Sequence, residues 1–434
     1  VTDDTMAAPR SHSRPVVNTH VHLPPNFSAF ETAVEAVEAA AAEGVAVIGS
    51  SNYHDLGVYR VFGEAAATAG IVPIFGLEII TLVEELQAAG TLVNDPSNPG
   101  RMYLCGKAIA WFDPPSRSAA RRMAAMRAAS DERIRRMTEL VAARFAEAGL
   151  DGHRTDAGIA REVAERCGVP VEWVALQERH VARAFQESLF RDVSPDDRPA
   201  ALARLVGAPS AADTTDPVAV QEVIRTGLMK AGRPAFVPEA AVSFEDAYRL
   251  VLELGGIPCY PILADGASPV CGFEDPPESL ARRILARGIH CAELIPGRNR
   301  PEVVDRYVTA LRGAGIVMLA GTEHNTQRMI PLEPAAMGGE PLSDLARDAF
   351  FEGTCVVASH QALASAGETG YVDGEGRLTG GFPEGEARIR SFRDRGAELI
   401  ASRKRVPARA AGVPGGSARR TSCGGDRTRA RVEA

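Results

Sequence analysis

The 434-residue chain lacks most of the motifs that announce a reaction class. It has no GxxxxGK[ST], and no GxGxxG follows its first strand-like run, so nucleotide-fuelled and dinucleotide-binding chemistry lose their phosphate cradles. GxSxG and HExxH are also absent, which removes the parts of an α/β-hydrolase or a zincin. No two of its cysteines (Cys105, Cys167, Cys259, Cys271, Cys291, Cys355 and Cys423) are spaced CxxC, so neither a zinc ribbon nor a redox pair is indicated. Scattered, odd-numbered cysteines fit reduced, buried thiols and a cytoplasmic location. No run of about 18 apolar residues exists to span a membrane. The polar stretch Val1–Arg14 has no apolar core of a signal peptide.

What is present describes a globular chain. Hydrophobic residues at 45% and charged residues at 24% allow a sizeable core and exclude wholesale disorder. The net charge of −8 argues against nucleic acid or an anionic membrane as partner. That charge is uneven: residues 401–434 hold nine basic residues against Asp426 and Glu433, so the rest of the chain is more acidic than the total suggests.

Strand-like and helix-like patterns alternate at both ends of the chain. Val16–His22, Val45–Gly49, Ile71–Gly76 and Met102–Ile109 read as strands; the first two are separated by a helix with capping-box spacing at Ser28 and Glu31. From Asp113 to about Glu239 the pattern is helical, with apolar residues such as Ile134, Met137, Leu140, Val141 and Phe145. Alternation resumes at Ser243, with strands at Ile257–Leu263, Cys291–Ile295 and Ile316–Ala320 and a last helix near Leu342–Ala364. Such alternation implies an α/β fold of parallel strands with crossover helices.

The chemistry-bearing residues gather at the ends of these strands. His20 and His22 close the first, and residues i and i+2 of a strand share a face, so two imidazoles can meet one metal ion. His54 and Asp55 follow the second strand, Glu78 the third, and Glu323 and His324 the last. Buried carboxylates and imidazoles at successive strand ends are costly unless paired or coordinated. A mixed His/Glu set suits Zn, Mn or Fe.

In these residues the chain resembles the PHP family, the metal-dependent polymerase and histidinol phosphatase domain. The likeness rests on Thr19-His20-Val21-His22, the segment through His54-Asp55, Gly76-Leu77-Glu78 and Gly321-Thr322-Glu323-His324. It implies a distorted seven-fold (β/α) barrel interrupted by a helical insertion. The expected division is a disordered N-terminus at 1–14, a discontinuous barrel at 15–112 and 241–365, the insertion at 113–240, a C-terminal extension at 366–402 and a basic disordered tail at 403–434. The resemblance implies a phosphoesterase acting on a small phosphate ester through metal-activated water. His20, His22, Glu78, Glu323 and His324 would be metal ligands; His54, Asp55 and His180 catalytic residues; Lys107, Arg179 and Arg298 cations for the phosphate. His180 and Arg179 belong to a segment, Glu178–Phe185, that looks like the Arg-x-His-x-Ala helix of some members.

Departures from the family pattern are as specific as the matches. Tyr53 stands where the family has Asp, and Tyr103 and Tyr260 stand where it has His, so a reduced metal centre is expected. The three phenols either fill the volume of lost ligands or line an altered pocket. Two other readings stay open: a catalytically inactive PHP-like binding or scaffold protein, and an amidohydrolase-type barrel, which also begins with HxH and wants a carboxylated lysine near the position of Lys107.

Overall fold

The computed structural model describes residues 14–239 and 242–403. The expectations for 1–13 and for the basic tail from 404 onward lie outside the described residues, as does Cys423. Ten strands are described: β1 (Val16–Val21), β2 (Val45–Ser50), β3 (Asn52–Tyr53), β4 (Val72–Ile74), β5 (Leu77–Leu82), β6 (Arg101–Lys107), β7 (Val242–Ser243), β8 (Ile257–Ile262), β9 (Cys291–Leu294) and β10 (Val317–Ala320). Between the early strands lie α1 (Ala33–Ala42), α2 (Tyr59–Ala69) and the short α3 (Glu84–Ala88). Five helices separate β6 from β7: α4 (Arg117–Glu147), α5 (Asp156–Cys167), α6 (Glu178–Asp192), α7 (Arg198–Val206) and α8 (Pro217–Ile224). The later strands alternate with α9 (Phe244–Glu253), α10 (Pro277–Leu285) and α11 (Pro301–Gly313), and the chain continues through α12 (Asp344–Ser365) and α13 (Gly385–Ser402).

The strands form two sheets and not the closed seven-fold barrel expected. β1, β2 and β4 are parallel in the order β1-β2-β4; the larger sheet runs β10-β9-β8-β6-β5-β3, with β7 beside β5. In that sheet β6 is antiparallel to both β5 and β8. The uniform parallel order fails at β6, which follows β5 after residues 83–100, a connection whose one helix is the short α3. β5 itself was not apparent from sequence, where its start read as the loop after the preceding strand.

The two sheets are stitched at their ends. Val21 bridges Glu323; His22 N–H donates to Glu323 O at 2.8 Å, and Glu323 N–H donates to His20 O at 2.9 Å. Gly321 is required at this seam, since a Cβ there would collide with the His20 side chain.

Local capping explains where helices start. Ser243 caps α9 through Asp246 N–H at 3.1 Å, and the helix buries Phe244, Ala247, Leu250 and Val251. The first helix begins later than the Ser28 spacing suggests. Thr32 is its cap, accepting from Glu35 N–H at 3.1 Å, while the Ser28 hydroxyl donates to His22 O at 2.7 Å and holds the turn after β1. One apolar core joins the sheet to α1, α2 and α9–α11. A separate one, built on Met137, Val141, Phe145, Phe185, Leu202 and Ile224, lies within α4–α8. No described helix is long and apolar enough to cross a membrane.

Candidate metal centre

The β1 pleat puts His20 and His22 on one side, and both rings are buried. Their Nε2 atoms lie 3.5 Å apart. Glu78, within β5, reaches in from the other sheet: its Oε2 is 3.4 Å from His22 Nε2 and 3.7 Å from His20 Nε2. Donor atoms about 2.0–2.1 Å from a tetrahedral ion stand about 3.3–3.4 Å apart, so this spacing fits one ion. Among the described residues neither Glu78 Oε2 nor His22 Nδ1 has a hydrogen-bond partner, although both are buried. Two histidines and a carboxylate suit Zn, Mn or Fe, and the three residues fit such an ion.

Glu323 stands at the edge of this group, with Oε2 3.9 Å from His22 Nε2. Arg298 holds its Oε1 at 3.0 Å, while Asn325 donates to Oε2. Burial alone would raise the Glu323 pKa, but Arg298, His20 and His22 bring it down to about 2. Its backbone is left-handed at φ 65°, as are those of His54 (52°) and His324 (51°). Non-glycine residues held there store strain, and such strain concentrates at functional sites.

The group opens into a cleft of about 670 Å³ lined by strand ends, by α4 and α6, and by the segment after α8. His22, Tyr53, His54, Glu78, Tyr103 and Glu323 line its floor. Arg179, Arg225 and Arg298 supply cations to its wall. Across from them runs a chain of alternating charge. Arg101 meets Glu239 at 2.8 Å, Arg133 meets Glu239 at 3.6 Å and Glu178 at 2.6 Å, and Lys230 meets Glu178 at 2.7 Å.

The three tyrosines divide between the two roles open to them. Tyr53 stacks on His22, with ring centroids 5.3 Å apart and planes 17° apart, and lines the cleft. Burial and the neighbouring Glu78 push its phenol well above the usual range, so it stays protonated. Tyr103 also lines the cleft, whereas Tyr260 is buried away from it and donates to Glu274 at 3.0 Å.

Several sequence candidates lie elsewhere. His324 does not reach the ligand group: its Nδ1 is 2.8 Å from Thr322 Oγ1, its Nε2 3.0 Å from Ile330 O, and its ring stacks on Phe30. His180 is not in the cleft lining; its Nδ1 accepts from Gln177 N–H at 3.0 Å and caps α6. His54 lines the cleft, and burial followed by Arg127 lowers its pKa to about 4. Asp55 lies behind it, accepting from Gly57 N–H at 3.0 Å, with its pKa raised by burial to about 6.

Lys107 is fully buried beneath the cleft, so the structure does not bring it to a substrate phosphate. Its Nζ lies 2.7 Å from Glu293 Oε2. A carboxylated lysine is an anion and would be repelled by that carboxylate, which counts against the amidohydrolase arrangement. Sequence reading passed over Glu293. Its signal was a lone acid inside the apolar run Cys291-Ala292-Glu293-Leu294-Ile295. His20, Cys105 and Glu293 also cluster closely enough to hold an ion, but the Lys107 ammonium already sits against Glu293 there.

No family model matches the chain, and no curated protein does. Solved structures do share its fold. One is a candidate metal-dependent phosphoesterase from Bifidobacterium adolescentis, at 17% identity and a TM-score of 0.50, with 77% of this chain and 94% of that one covered. Another is an amidohydrolase from Chromobacterium violaceum, solved with sulfate and without metal, at 18% identity and a TM-score of 0.50, with 77% and 95% covered. At such identities the likeness concerns the fold alone.

Proposed function

We propose that the protein is a PHP-like metal-dependent hydrolase acting on a small phosphate ester, with a single-ion centre held by His20, His22 and Glu78. The observation that carries this reading is the convergence of three buried donor atoms within 3.7 Å, one of them a carboxylate oxygen with no hydrogen-bond partner, beneath an open cleft. A buried anionic oxygen without a partner is costly, and a cation removes that cost. When bound, a divalent ion supplies Lewis acidity at the cleft floor.

The chain's own residues supply the rest. Arg298, Arg179 and Arg225 draw an anionic ester to the floor and orient it, guanidinium forks being matched to phosphate oxygens. Tyr53 remains a neutral phenol beside Glu78, stacked on His22. His54, its pKa lowered by burial to about 4, presents a neutral, weakly basic imidazole to the cleft at pH 7. A volume of about 670 Å³ falls in the range of small-molecule sites, about 300–1,000 Å³.

The test is hydrolysis of phosphomonoesters and phosphodiesters by the purified chain with Zn, Mn or Fe supplied. The reading expects turnover that chelator abolishes and that His22→Ala loses. An inactive scaffold would bind no metal and hydrolyse nothing under any of these conditions.

A further inference from the structure

Beneath the candidate ligands lies a buried charged cluster that the reaction above does not use. Glu293 is the one charged residue of β9 and is fully buried. Lys107, one of only three lysines in the chain, is also fully buried. An ammonium carries three protons. Lys107 Nζ donates to Ser51 Oγ at 2.9 Å and Thr19 O at 3.1 Å and forms an ion pair with Glu293 Oε2 at 2.7 Å, a contact too poorly aligned to count as a hydrogen bond.

The contacts of its Nδ1 decide how His20 is protonated. His20 Nδ1 lies 2.9 Å from Glu293 Oε1 and 3.4 Å from Lys107 Nζ. The carboxylate is the closer of the two neighbours. The carboxylate can only accept, so the proton of the 2.9 Å contact belongs to Nδ1. The Nε2 lone pair then faces His22 and Glu78.

We propose that Lys107 and Glu293 are positioning residues, a buried ion pair that fixes His20 as its Nδ1–H tautomer and so presents Nε2 to the metal. The proposal rests on the metal reading above but concerns residues that touch neither ion nor substrate. A histidine ligand is commonly oriented by a carboxylate on its other nitrogen. Here that carboxylate is itself held by a cation supplied by the chain, so it can stay buried and charged without drawing an ion from solution.

The test begins with metal-free, ¹⁵N-histidine-labelled protein. Long-range ¹H–¹⁵N correlation spectra, assigned with a His20→Asn variant, report which ring nitrogen carries the proton. The expected result is a protonated Nδ1 and a bare Nε2 on His20. Glu293→Gln, whose amide can offer either an oxygen or an N–H to the ring, should mix the tautomers and weaken Zn²⁺ binding about 10–100-fold. The doubly neutral Lys107→Met/Glu293→Gln variant guards against misfolding, and should keep the wild-type circular dichroism while sharing the weakened affinity. A wild-type His20 protonated on Nε2 would overturn the proposal, as would a Glu293→Gln protein with unchanged tautomer and unchanged Zn²⁺ affinity. Nδ1–H in a wild-type protein that binds no Zn²⁺ would support the orienting role and remove the metal reading instead.

Discussion

At the floor of the cleft, Glu78 Oε2 and His22 Nδ1 are buried with nothing to bond. One layer deeper, Glu293 Oε2 likewise lacks an aligned hydrogen bond, but it lies 2.7 Å from the Lys107 ammonium, and Oε1 lies 2.9 Å from His20 Nδ1. The two layers share His20, whose two nitrogens face opposite ways. Both layers contain buried carboxylates, yet only the deeper one is internally neutral. The unpaired layer is the one with room for a ligand, and the paired layer holds it in shape.

Substitution should separate the layers most sharply in stability. Lys107→Met leaves Glu293 buried without its cation and is expected to cost about 3–5 kcal/mol. Glu78→Gln removes a buried charge that has no partner in the metal-free protein, and is expected to leave stability unchanged or raise it. Urea denaturation of both variants without metal checks the contrast. Equal losses would dissolve the distinction.

A third buried carboxylate shows what the lysine does. Glu274 accepts from Leu263 N–H at 2.9 Å, Ala264 N–H at 2.6 Å and Tyr260 at 3.0 Å, but it has no cation. Burial dominates and raises its pKa to about 7, whereas Lys107 and His20 overcome burial and hold Glu293 well below the carboxylate range. The signs therefore differ. Glu274's raised pKa stabilises the fold fully below about pH 4.5, and that contribution is lost as pH rises through about 7. Glu274→Gln should gain on the wild type between pH 5 and pH 8, by up to about 3 kcal/mol. Denaturation midpoints of the two proteins at both pH values measure this, and a constant difference would contradict it.

The smallest expected effect concerns His180. Its ring nitrogen caps α6, so His180→Ala should cost about 1 kcal/mol of stability and leave metal binding unchanged. A calorimetric titration that showed lost metal binding would instead bring His180 into the site.

The upper layer was largely legible in the sequence. The HxH pair follows from strand periodicity; Glu78, read as following a strand, lies within β5, and Glu323 follows β10. The deeper layer was not, because a buried Lys–Glu pair is written as two isolated charges 186 positions apart, each resembling a surface residue. His180 and His324 show the converse. Their type and place suggested chemistry, but hydrogen bonds to Gln177 N–H and Ile330 O occupy them, and only the folded chain reveals such partners. Most of the strand alternation was visible, but β5 and the antiparallel sense of β6 were not, since a connection as long as residues 83–100 allows either sense.

The most direct test of the account is metal content and affinity. Wild-type protein should bind one equivalent of Zn²⁺ or Mn²⁺ by titration calorimetry with elemental analysis, and Glu78→Gln should lose it while remaining folded. A folded wild-type chain that takes up no metal, or a Glu78→Gln variant that binds as the wild type does, would contradict it.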